Sequence, residues 1–340
     1  MPTSANIGRI THYALCIALC IVHCALCIAQ PQTAASMWLR VSPADSAMAG
    51  FRTIEAEGQT RCIVPITEWT ADPAIDTYHQ LHHHGVAVES DFMAYRIYFD
   101  KKQTIDIYAK RTPRLELATS YWYPSDKQLA QHYGDDILRV SGTVGVGSVK
   151  PWRNGRMTHI EPVQSRTQRI VEVTPDKASM EVSVTGWQTE GKTVDMTVRY
   201  TISARHRDML CEVFLSSPLD SLCTGVQAIP AKQTATTPKH FFKDTTSAGV
   251  LLGSWGTDFP VNDTVKYARE MVGLGVFVPA QYAARPVEDP RNNLVLFTPA
   301  TYLRFYLTTV AATKEDNPPA TTEETFYQYL QDWRNGLQQQ

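Results

Sequence analysis

The sequence lacks an excess of charge of either sign. Its 340 residues carry 32 lysines and arginines against 34 aspartates and glutamates, a formal net charge of -2. No dense basic block occurs, so the electrostatic footprint expected of a nucleic-acid-binding protein is absent. Glycine (18) and proline (20) have ordinary frequencies, and no solenoid or propeller period is visible, which excludes collagen-like and repeat architectures. The 43% of hydrophobic residues can form a large core.

Long hydrophobic runs are also missing, apart from one at the N-terminus. Positively charged residues precede a mostly apolar run over 13–28, and the small residue Ala29 follows it. A charged segment, an apolar run and a small residue before the cleavage point are typical of a secretory signal peptide. We therefore predict a signal peptide over 1–29 and a mature chain, 30–340, that is periplasmic or secreted and does not associate with a membrane.

Cysteine is scarce outside the predicted signal peptide. Only Cys62, Cys211 and Cys223 remain after cleavage. An odd number allows at most one disulfide, and Cys211 and Cys223 flank a predicted hairpin, so a bridge between them is conceivable in an oxidising compartment. We expect all three to be buried thiols, because none has the helical or basic surroundings that activate a nucleophile.

Period-two alternation of apolar and polar residues dominates the mature chain and is typical of antiparallel β-structure. The runs cover 169–173, 180–184, 194–203, 209–215, 249–253, 273–278 and 302–310. Composition shows no break along the chain. We predict an all-β fold, a large antiparallel two-sheet sandwich resembling the galactose-mutarotase-like supersandwich, that forms a single catalytic domain over 30–340.

Few helices are expected in this fold. Ser125 and Gln128 form a capping box before a short helix that ends at Gly134. Thr321 and Glu324 repeat the pattern before a C-terminal helix. The apolar face of that helix is formed by Phe326, Leu330, Trp333 and Leu337.

Histidine, tyrosine and charged residues are concentrated in segment 79–124. Residues 94–110 fit a hairpin with a three-residue loop at 101–103, which pairs Phe99 with Ile105 and places polar side chains on one face. That face carries Arg96, Tyr98, Asp106, Tyr108 and Lys110, and Tyr121, Trp122 and Tyr123 lie nearby. Because aromatic rings suit stacking on sugars, we predict a carbohydrate groove. The alternative is a solvated surface with weak ion pairs.

The sharpest single feature is the run His82-His83-His84-Gly85. Side chains alternate along an extended strand, so His82 and His84 should share one face, with His83 opposite. An imidazole exchanges protons near neutral pH, which favours a catalytic role for the group. We predict no cofactor; a divalent metal is the alternative. It would need a third ligand, and the candidates are His79, Glu89 and His206.

A second charged cluster, Arg205-His206-Arg207-Asp208, lies between two predicted strands. The cluster can be a charged turn on the surface, or it can be part of a functional site. It also belongs to an ordered series of motifs along the chain. The series is LHHHG at 81–85, ES at 89–90, AYRIYFD at 94–100, QTIDIYAK at 103–110, LEL at 115–117, GDDIL at 134–138 and RHRDM at 205–209. With these motifs, the chain resembles the family called domain of unknown function 4861.

The resemblance implies a function in polysaccharide degradation. The family is similar in setting to secreted proteins of Gram-negative bacteria that degrade polysaccharides. The resemblance further implies a dehydratase that acts on uronate-terminated ulvan oligosaccharides and leaves a 4,5-unsaturated uronyl end. We therefore predict a carbon–oxygen lyase whose partner is an acidic oligosaccharide, with no nucleic-acid or membrane partner.

Such an elimination needs a cation for the substrate carboxylate, a base for the C5 proton and an acid for the departing oxygen. Arginine matches two carboxylate oxygens with its planar fork, histidine carries protons, and tyrosine can be the second carrier if a cation lowers its pKa. The predicted catalytic residues are His83, His84, Arg96, Tyr98, Lys110 and His206. The predicted substrate-binding residues are His82, Glu89, Asp106, Tyr108, Arg114, Tyr123 and Arg207. Replacing Arg96 with Ala should abolish turnover with little loss of fold.

Two other functions stay open. A glycoside hydrolase would use two carboxylates about 5–5.5 or 6.5–9.5 Å apart across the scissile bond. The available carboxylates are Glu89, Asp106, Glu116, Asp135, Asp136 and Asp208. A non-catalytic carbohydrate-binding protein would use the aromatic face alone and would not require the histidines.

Overall fold

The computed structural model describes residues 32–56, 59–71, 77–120, 122–229, 240–258 and 268–339. The predicted signal peptide and Tyr121 lie outside the described residues. Among the helices of the described part, none combines the length and the hydrophobicity needed to cross a membrane.

The predicted all-β class is confirmed, and the sheets are antiparallel. In the first half of the chain the strands are β1 (Thr33–Val41), β2 (Arg52–Ala56), β3 (Gln59–Pro65), β4 (Glu68–Ala71), β5 (Leu81–Ser90), β6 (Met93–Tyr98), β7 (Ile105–Ala109), β8 (Asp135–Asp136), β9 (Lys150–Arg153), β10 (Arg156–Met157) and β11 (Ser165–Val173). In the second half they are β12 (Lys177–Thr189), β13 (Lys192–Ser203), β14 (Met209–Leu215), β15 (Leu222–Gln227), β16 (Phe241–Thr246), β17 (Gly249–Asp258), β18 (Glu270–Pro279), β19 (Ala283–Asp289), β20 (Asn292–Phe297) and β21 (Tyr302–Ala311). The helices are α1 (Leu117–Ser120), α2 (Asp126–Ala130) and α3 (Glu323–Leu337), with 3-10 turns at Pro43–Asp45 and Thr77–His79.

Each strand predicted from alternation lies within an observed strand. The clearest example is β13, which buries Val194, Met196, Val198, Tyr200 and Ile202 at every second position. These side chains face the core, and the residues between them are exposed or half-buried. Period-two burial of this kind is what a sheet with one face in the core requires.

In the described residues the strands form three hydrogen-bonded sheets. A nine-stranded sheet has the order β16-β17-β18-β21-β14-β13-β12-β11-β4, a seven-stranded sheet the order β2-β3-β1-β5-β6-β7-β8, and a five-stranded sheet the order β10-β9-β15-β20-β19. Apolar side chains of all three sheets, such as Ile97, Val213 and Val295, belong to one buried cluster.

This layout is more divided than a sandwich of two continuous sheets. Segment 144–147 bridges the seven- and five-stranded sheets through isolated pairs, Ile105 with Gly145 and Val146 with Val226. Gly145 and Gly147 have φ of 59° and 70°. Because left-handed residues interrupt an extended strand, the segment joins the two sheets without becoming a strand itself.

The helices and thiols largely follow the predictions. The capping box of Ser125 and Gln128 is confirmed, although α2 ends at Ala130 and not at Gly134. Helix α3 is capped by Thr322, whose side chain accepts from the Thr325 amide, one residue later than predicted. Its Phe326 and Leu330 are buried in a cluster with side chains of β17 and β18. The three described cysteines are free thiols; Cys211 and Cys223 are buried, and Cys62 is half-buried.

Candidate active site

The hairpin of β6 and β7 brings the predicted polar residues onto one face, in a different register from the one expected. Arg96 pairs with Asp106 and Ile97 with Ile105, so the connection covers 99–104. The predicted pairing of Phe99 with Ile105 and the three-residue loop are wrong. The shift is two residues, and a shift of two leaves every side chain on the face that was predicted for it.

The predicted open groove on this face is wrong as well. The segment containing α1 and α2 covers the face, because Leu117 and Trp122 pack against it. The buried cluster formed there contains Ala87, Ala94, Tyr108, Leu117 and Trp122, with Tyr123 beside it. Arg96 is 0% exposed and Asp106 is 1% exposed. The charges are therefore inside the protein, and the alternative of a solvated surface fails for the same reason.

The histidine run does not alternate as an extended strand would. His83 and His84 have φ of 70° and 61°, and the register between β1 and β5 shifts at this point. As a result, the rings of His82 and His83 lie 4.0 Å apart, so the prediction that they point to opposite faces is wrong. Gly85 is required next to this bulge, because a Cβ atom there would lie 1.9 Å from the Ile97 carbonyl oxygen.

Arg96 is the centre of the buried network. Its Nη2 atom lies 2.5 Å from Asp106 Oδ2 and 3.4 Å from Asp136 Oδ2. The same nitrogen donates to Tyr98 OH at 3.0 Å. Nη1 donates to the His83 carbonyl oxygen at 3.2 Å and to Tyr123 OH at 3.3 Å. The guanidinium thus joins the histidine bulge, two tyrosines and two carboxyl groups.

Aromatic rings enclose the guanidinium. Its central carbon lies 4.4 Å from the Trp122 ring centroid and 4.7 Å from that of Tyr98. Trp122 also donates its Nε1–H to Asp136 Oδ2 at 3.2 Å. Such rings stabilise a desolvated cation. Burial raises the pKa of both Asp106 and Asp136, and the charge of Arg96 opposes that shift.

The network reaches the surface at His84 and Tyr98, which are each 8% exposed. Their rings are nearly parallel, with centroids 6.2 Å apart. Lys102 Nζ lies 5.2 Å from the Tyr98 centroid, and His79 lies 6.0 Å from His84, ring to ring. Tyr123 is half-buried beside them. We call His84, Tyr98, Lys102 and Tyr123 the mouth of the site.

The pKa shifts separate proton carriers from structural groups. Burial raises the pKa of Tyr98 well above its usual range although Arg96 lowers it, and burial also raises the pKa of Tyr108. The condition that a cation lowers the pKa of a phenol is met only in part, because Arg96 lowers the pKa of Tyr98 but burial outweighs it, and both phenols hold their protons. Burial lowers the pKa of His82 to about 3 and that of His83 well below its usual range. His84, at the mouth, is the better candidate for proton transfer.

Lys110 and Tyr108 lie on the same face as Arg96 but belong to other buried networks. Lys110 Nζ lies 2.5 Å from Glu89 Oε2 and donates to the carbonyl oxygens of Ser90 and Arg114. Tyr108 OH lies 2.6 Å from Glu116 Oε2, and Arg114 Nε lies 2.7 Å from Glu116 Oε1. These contacts fix the covering segment to the sheet, and they place Lys110, Glu89, Tyr108 and Arg114 away from the mouth.

The charged cluster at 205–208 is remote from the histidine bulge. The His206 carbonyl oxygen accepts from Ser90 Oγ, and Ser90 lies seven residues along β5 from His83, roughly 20 Å. His206 Nδ1 lies 2.9 Å from Asp208 Oδ1, and this hydrogen bond raises the pKa of His206. Arg207 Nη1 contacts both oxygens of Glu315 at 2.8 Å. The structure therefore does not bring His206 and Arg207 to the Arg96 network.

Two site residues did not appear among the sequence candidates in these roles. Asp136 was considered only as a hydrolytic carboxylate, and Lys102 was not considered. The GDDIL motif at 134–138 is a signal for Asp136, because its two acids form the buried two-residue strand β8. Within the described residues, no three His, Cys, Asp or Glu side chains are arranged to hold a metal ion.

The sequence profile of the family described as domain of unknown function (DUF4861) matches residues 39–340. The chain belongs to the DUF4861 family. A comparison with curated proteins gave no match.

Two solved structures are similar at low identity. A 4-alpha-glucanotransferase from Thermococcus litoralis shares 11% identity over 66% of this chain, with a TM-score of 0.33, and the chain spans 39% of its length. A putative aldose 1-epimerase from Klebsiella pneumoniae subsp. pneumoniae MGH 78578 shares 7% identity over 88% of this chain and 95% of its own, with a TM-score of 0.38. Scores this low carry no argument about the site, and the mutarotase-like supersandwich stays a prediction.

Proposed function

We propose that this DUF4861 protein is a carbon–oxygen lyase that removes water from the non-reducing-end uronate of an oligosaccharide. The substrate class comes from the family resemblance. The observation that carries the proposal is the mouth itself, where the His84 imidazole lies beside the Tyr98 ring and each residue is 8% exposed. A base and an acid on neighbouring side chains are what an elimination requires.

The structure gives less support to hydrolysis, because every carboxylate considered for it is held by a protein group. The Arg96 nitrogen contacts both Asp106 and Asp136, so a guanidinium occupies the position where a glycosidic bond would have to lie. The other four carboxylates have partners of their own. Glu89 pairs with Lys110, Glu116 with Arg114, Asp135 with Lys314, and Asp208 with His206.

The proposed step balances at the two mouth residues. His84 takes the C5 proton of the uronate, and the electron pair of that C–H bond forms the C4=C5 double bond. The C4–O bond breaks, and the departing oxygen takes the phenolic proton of Tyr98 and leaves as water. Tyr98 then regains a proton from His84 through solvent. Burial keeps the Tyr98 phenol protonated until the oxygen departs, and Arg96, whose charge lowers the pKa of Tyr98, stabilises the phenolate that remains.

Arg96 takes a positioning role in this scheme and does not clamp the substrate carboxylate. Its Nη atoms already donate to Asp106, Tyr98 and Tyr123, and it is buried. At the mouth the cation is Lys102, which is 29% exposed and lies 3.1 Å from Asp100. Because such a partly exposed ion pair is weak, a substrate carboxylate can share the Lys102 charge.

The test is a product assay on uronate-terminated oligosaccharides, with ultraviolet absorbance and product mass followed together. Loss of one water with new absorbance is the expected result. New reducing ends without absorbance would establish hydrolysis, absorbance with chain cleavage would establish a chain-cleaving lyase, and retained affinity without turnover would establish a binding protein.

Two variants probe the assigned roles. Tyr98→Phe removes the phenolic hydroxyl and keeps the ring, and His84→Asn keeps a residue type that tolerates the φ of 61°. Each should lower turnover by about 10²-fold or more. His132→Asn is the matched control, because His132 is an exposed histidine with a φ of 62° that is not part of the mouth. Full activity of either mouth variant would remove that residue from the mechanism.

A further inference from the structure

A second site of quite different composition lies on the five-stranded sheet. Its cavity has a volume of about 520 Å³ and is lined by Trp152, Arg153, Asn154, Glu190, Asp220 and Ser221. Ligand cavities in proteins typically measure about 300–1,000 Å³. None of these residues belongs to the Arg96 network or to the mouth.

The cavity has a rigid aromatic floor. Trp152 is half-buried in β9 and packs against a buried cluster of the five-stranded sheet that includes Met157 and Leu296. Its backbone amide donates to the Ser221 carbonyl oxygen at 2.6 Å. The indole is therefore held by the core on one side and lines the cavity on the other. An aromatic ring fixed in this way binds an apolar face at a low cost in side-chain entropy.

Hydrogen bonds of Glu190 fix the polar walls. Its carboxylate accepts from the backbone amides of Asp220 at 3.0 Å and Ser221 at 2.9 Å, and from Ser221 Oγ. Burial by itself would raise the pKa of Glu190, but these bonds lower it. The turn between β12 and β13 is thereby tied to the connection between β14 and β15. The wall holds its shape before any ligand arrives, which is what binding sites usually do.

Polar groups remain at the rim to bind hydroxyl groups. Asn154 and Asp220 are exposed, and Arg153 Nη2 is bonded to Thr189 Oγ1, which directs the guanidinium along the wall. Planar amide, carboxylate and guanidinium groups next to an aromatic ring can hydrogen-bond ring hydroxyls while the indole contacts the C–H face of a sugar. The charges here balance, because Arg153 and Lys192, which lies beside Glu190, offset Glu190 and Asp220, so the cavity offers no excess of positive charge to an acidic sugar.

We propose that this cavity binds a neutral pyranose unit of an oligosaccharide, stacked on Trp152. The site is separate from the lyase proposal and does not depend on it. Its ligand class differs too, since the mouth offers a lysine to a substrate carboxylate, whereas the charges of this cavity balance.

The experiment is isothermal titration calorimetry of the mature chain with neutral hexaoses of glucose, xylose and mannose, and with a galacturonate hexaose as the charged comparison. Concentrations reach about 10 mM, at which a Kd of about 1 mM is saturated. The galacturonate has a uronate end that the mouth can bind, so its binding should not change in Trp152→Ala. We expect saturable binding of a neutral hexaose at the cavity. Trp152→Ala should weaken it by about tenfold or more, as is common for a tryptophan at the centre of a contact.

Two further variants keep the test decisive if Trp152→Ala unfolds. Asn154→Gly suits the φ of 51° and removes only the amide, and Asp220→Asn removes an exposed charge. Each should weaken binding severalfold, while Asp176→Asn, an exposed aspartate in the turn between β11 and β12, should not. His84→Asn should bind as the unaltered protein does. Absence of binding by all neutral hexaoses, galacturonate binding that the cavity variants weaken, or unchanged affinity for the neutral hexaose in the cavity variants would overturn the proposal.

Discussion

Strand β13 of the nine-stranded sheet and strand β6 of the seven-stranded sheet bury their side chains in contrasting ways. β13 alternates between buried apolar residues, such as Met196 and Val198, and residues that are exposed or half-buried. β6 is buried on both faces, and its second face carries Arg96 at 0% exposure. The nine-stranded sheet also buries some charged residues, such as Arg166 and Glu270, but its Arg169 reaches the surface, where it pairs with Glu181 and is 51% exposed.

The contrast indicates where stability and chemistry reside. Apolar alternation stabilises β13 without desolvating charge. In the seven-stranded sheet, Arg96, Asp106 and Asp136 lose their hydration, which costs free energy unless each charge is paired and hydrogen-bonded. We infer that the second arrangement is retained because it fixes Tyr98 and the histidine bulge in one geometry.

The largest expected effect comes from removing the buried cation. Arg96→Met leaves Asp106 and Asp136 buried without their guanidinium and should lower the free energy of unfolding by about 3–5 kcal/mol. This corrects the sequence-based expectation of little loss of fold. Arg169→Met, the matched change at the surface, should cost about 0–1 kcal/mol. Urea unfolding measures both, and equal costs would contradict the contrast between the two sheets.

A smaller effect concerns pH and the histidine bulge. Burial lowers the pKa of His82 from 6.5 to about 3, so its contribution to stability is present above pH 6.5 and is lost as the pH falls towards 3. Between pH 6.5 and pH 5 the loss is about 2 kcal/mol. We expect the difference in unfolding free energy between the unaltered protein and His82→Gln to shrink by that amount.

His206 provides a control of opposite sign. The hydrogen bond with Asp208 raises its pKa, so its contribution is present below pH 6.5 and is lost as the pH rises through the folded-state pKa. The stability difference for His206→Gln should therefore grow on acidification. A parallel trend in the two variants would show that His82 does not titrate as a desolvated group.

The smallest effect compares two helix caps of the same type. Thr322 caps α3 on the nine-stranded sheet, and Ser125 caps α2 in the segment that covers Arg96. Replacing either with Ala should cost about 1 kcal/mol. Only Ser125→Ala should also lower turnover, because α2 follows directly on Trp122 and Tyr123. Thermal unfolding and the product assay on both variants check this, and equal activity losses would argue against a special role for the covering segment.

Local pattern was enough to predict much of the fold. Alternation located β11 to β14, β17, β18 and β21, and the Ser125 capping box located α2. These features depend on neighbours within a few residues. The exact cap of α3 was missed by one residue, because Thr322 and Thr325 satisfy each other as well as the predicted pair would.

The candidate site was predicted in composition but not in arrangement. The alternation of side chains along β6 and β7 predicted that Arg96, Tyr98 and Asp106 share one face, and the structure confirms this. The large distance between His206 and the histidine bulge could not be predicted from the sequence, because it depends on which end of β5 contacts the loop after β13. The left-handed backbone at His83 and His84 was equally hidden, since nothing in three consecutive histidines specifies a bulge.

Local sequence patterns were sufficient to predict the strands, the faces of the hairpin and membership of the DUF4861 family, because period-two burial and ordered motifs are local properties. The tertiary structure was needed to show that the segment with α1 and α2 covers the polar face, that Asp136 joins Asp106 on Arg96, and that Lys110 is bound by Glu89. Those outcomes depend on contacts between residues far apart in the chain, where burial sets both the partners of each charge and its pKa.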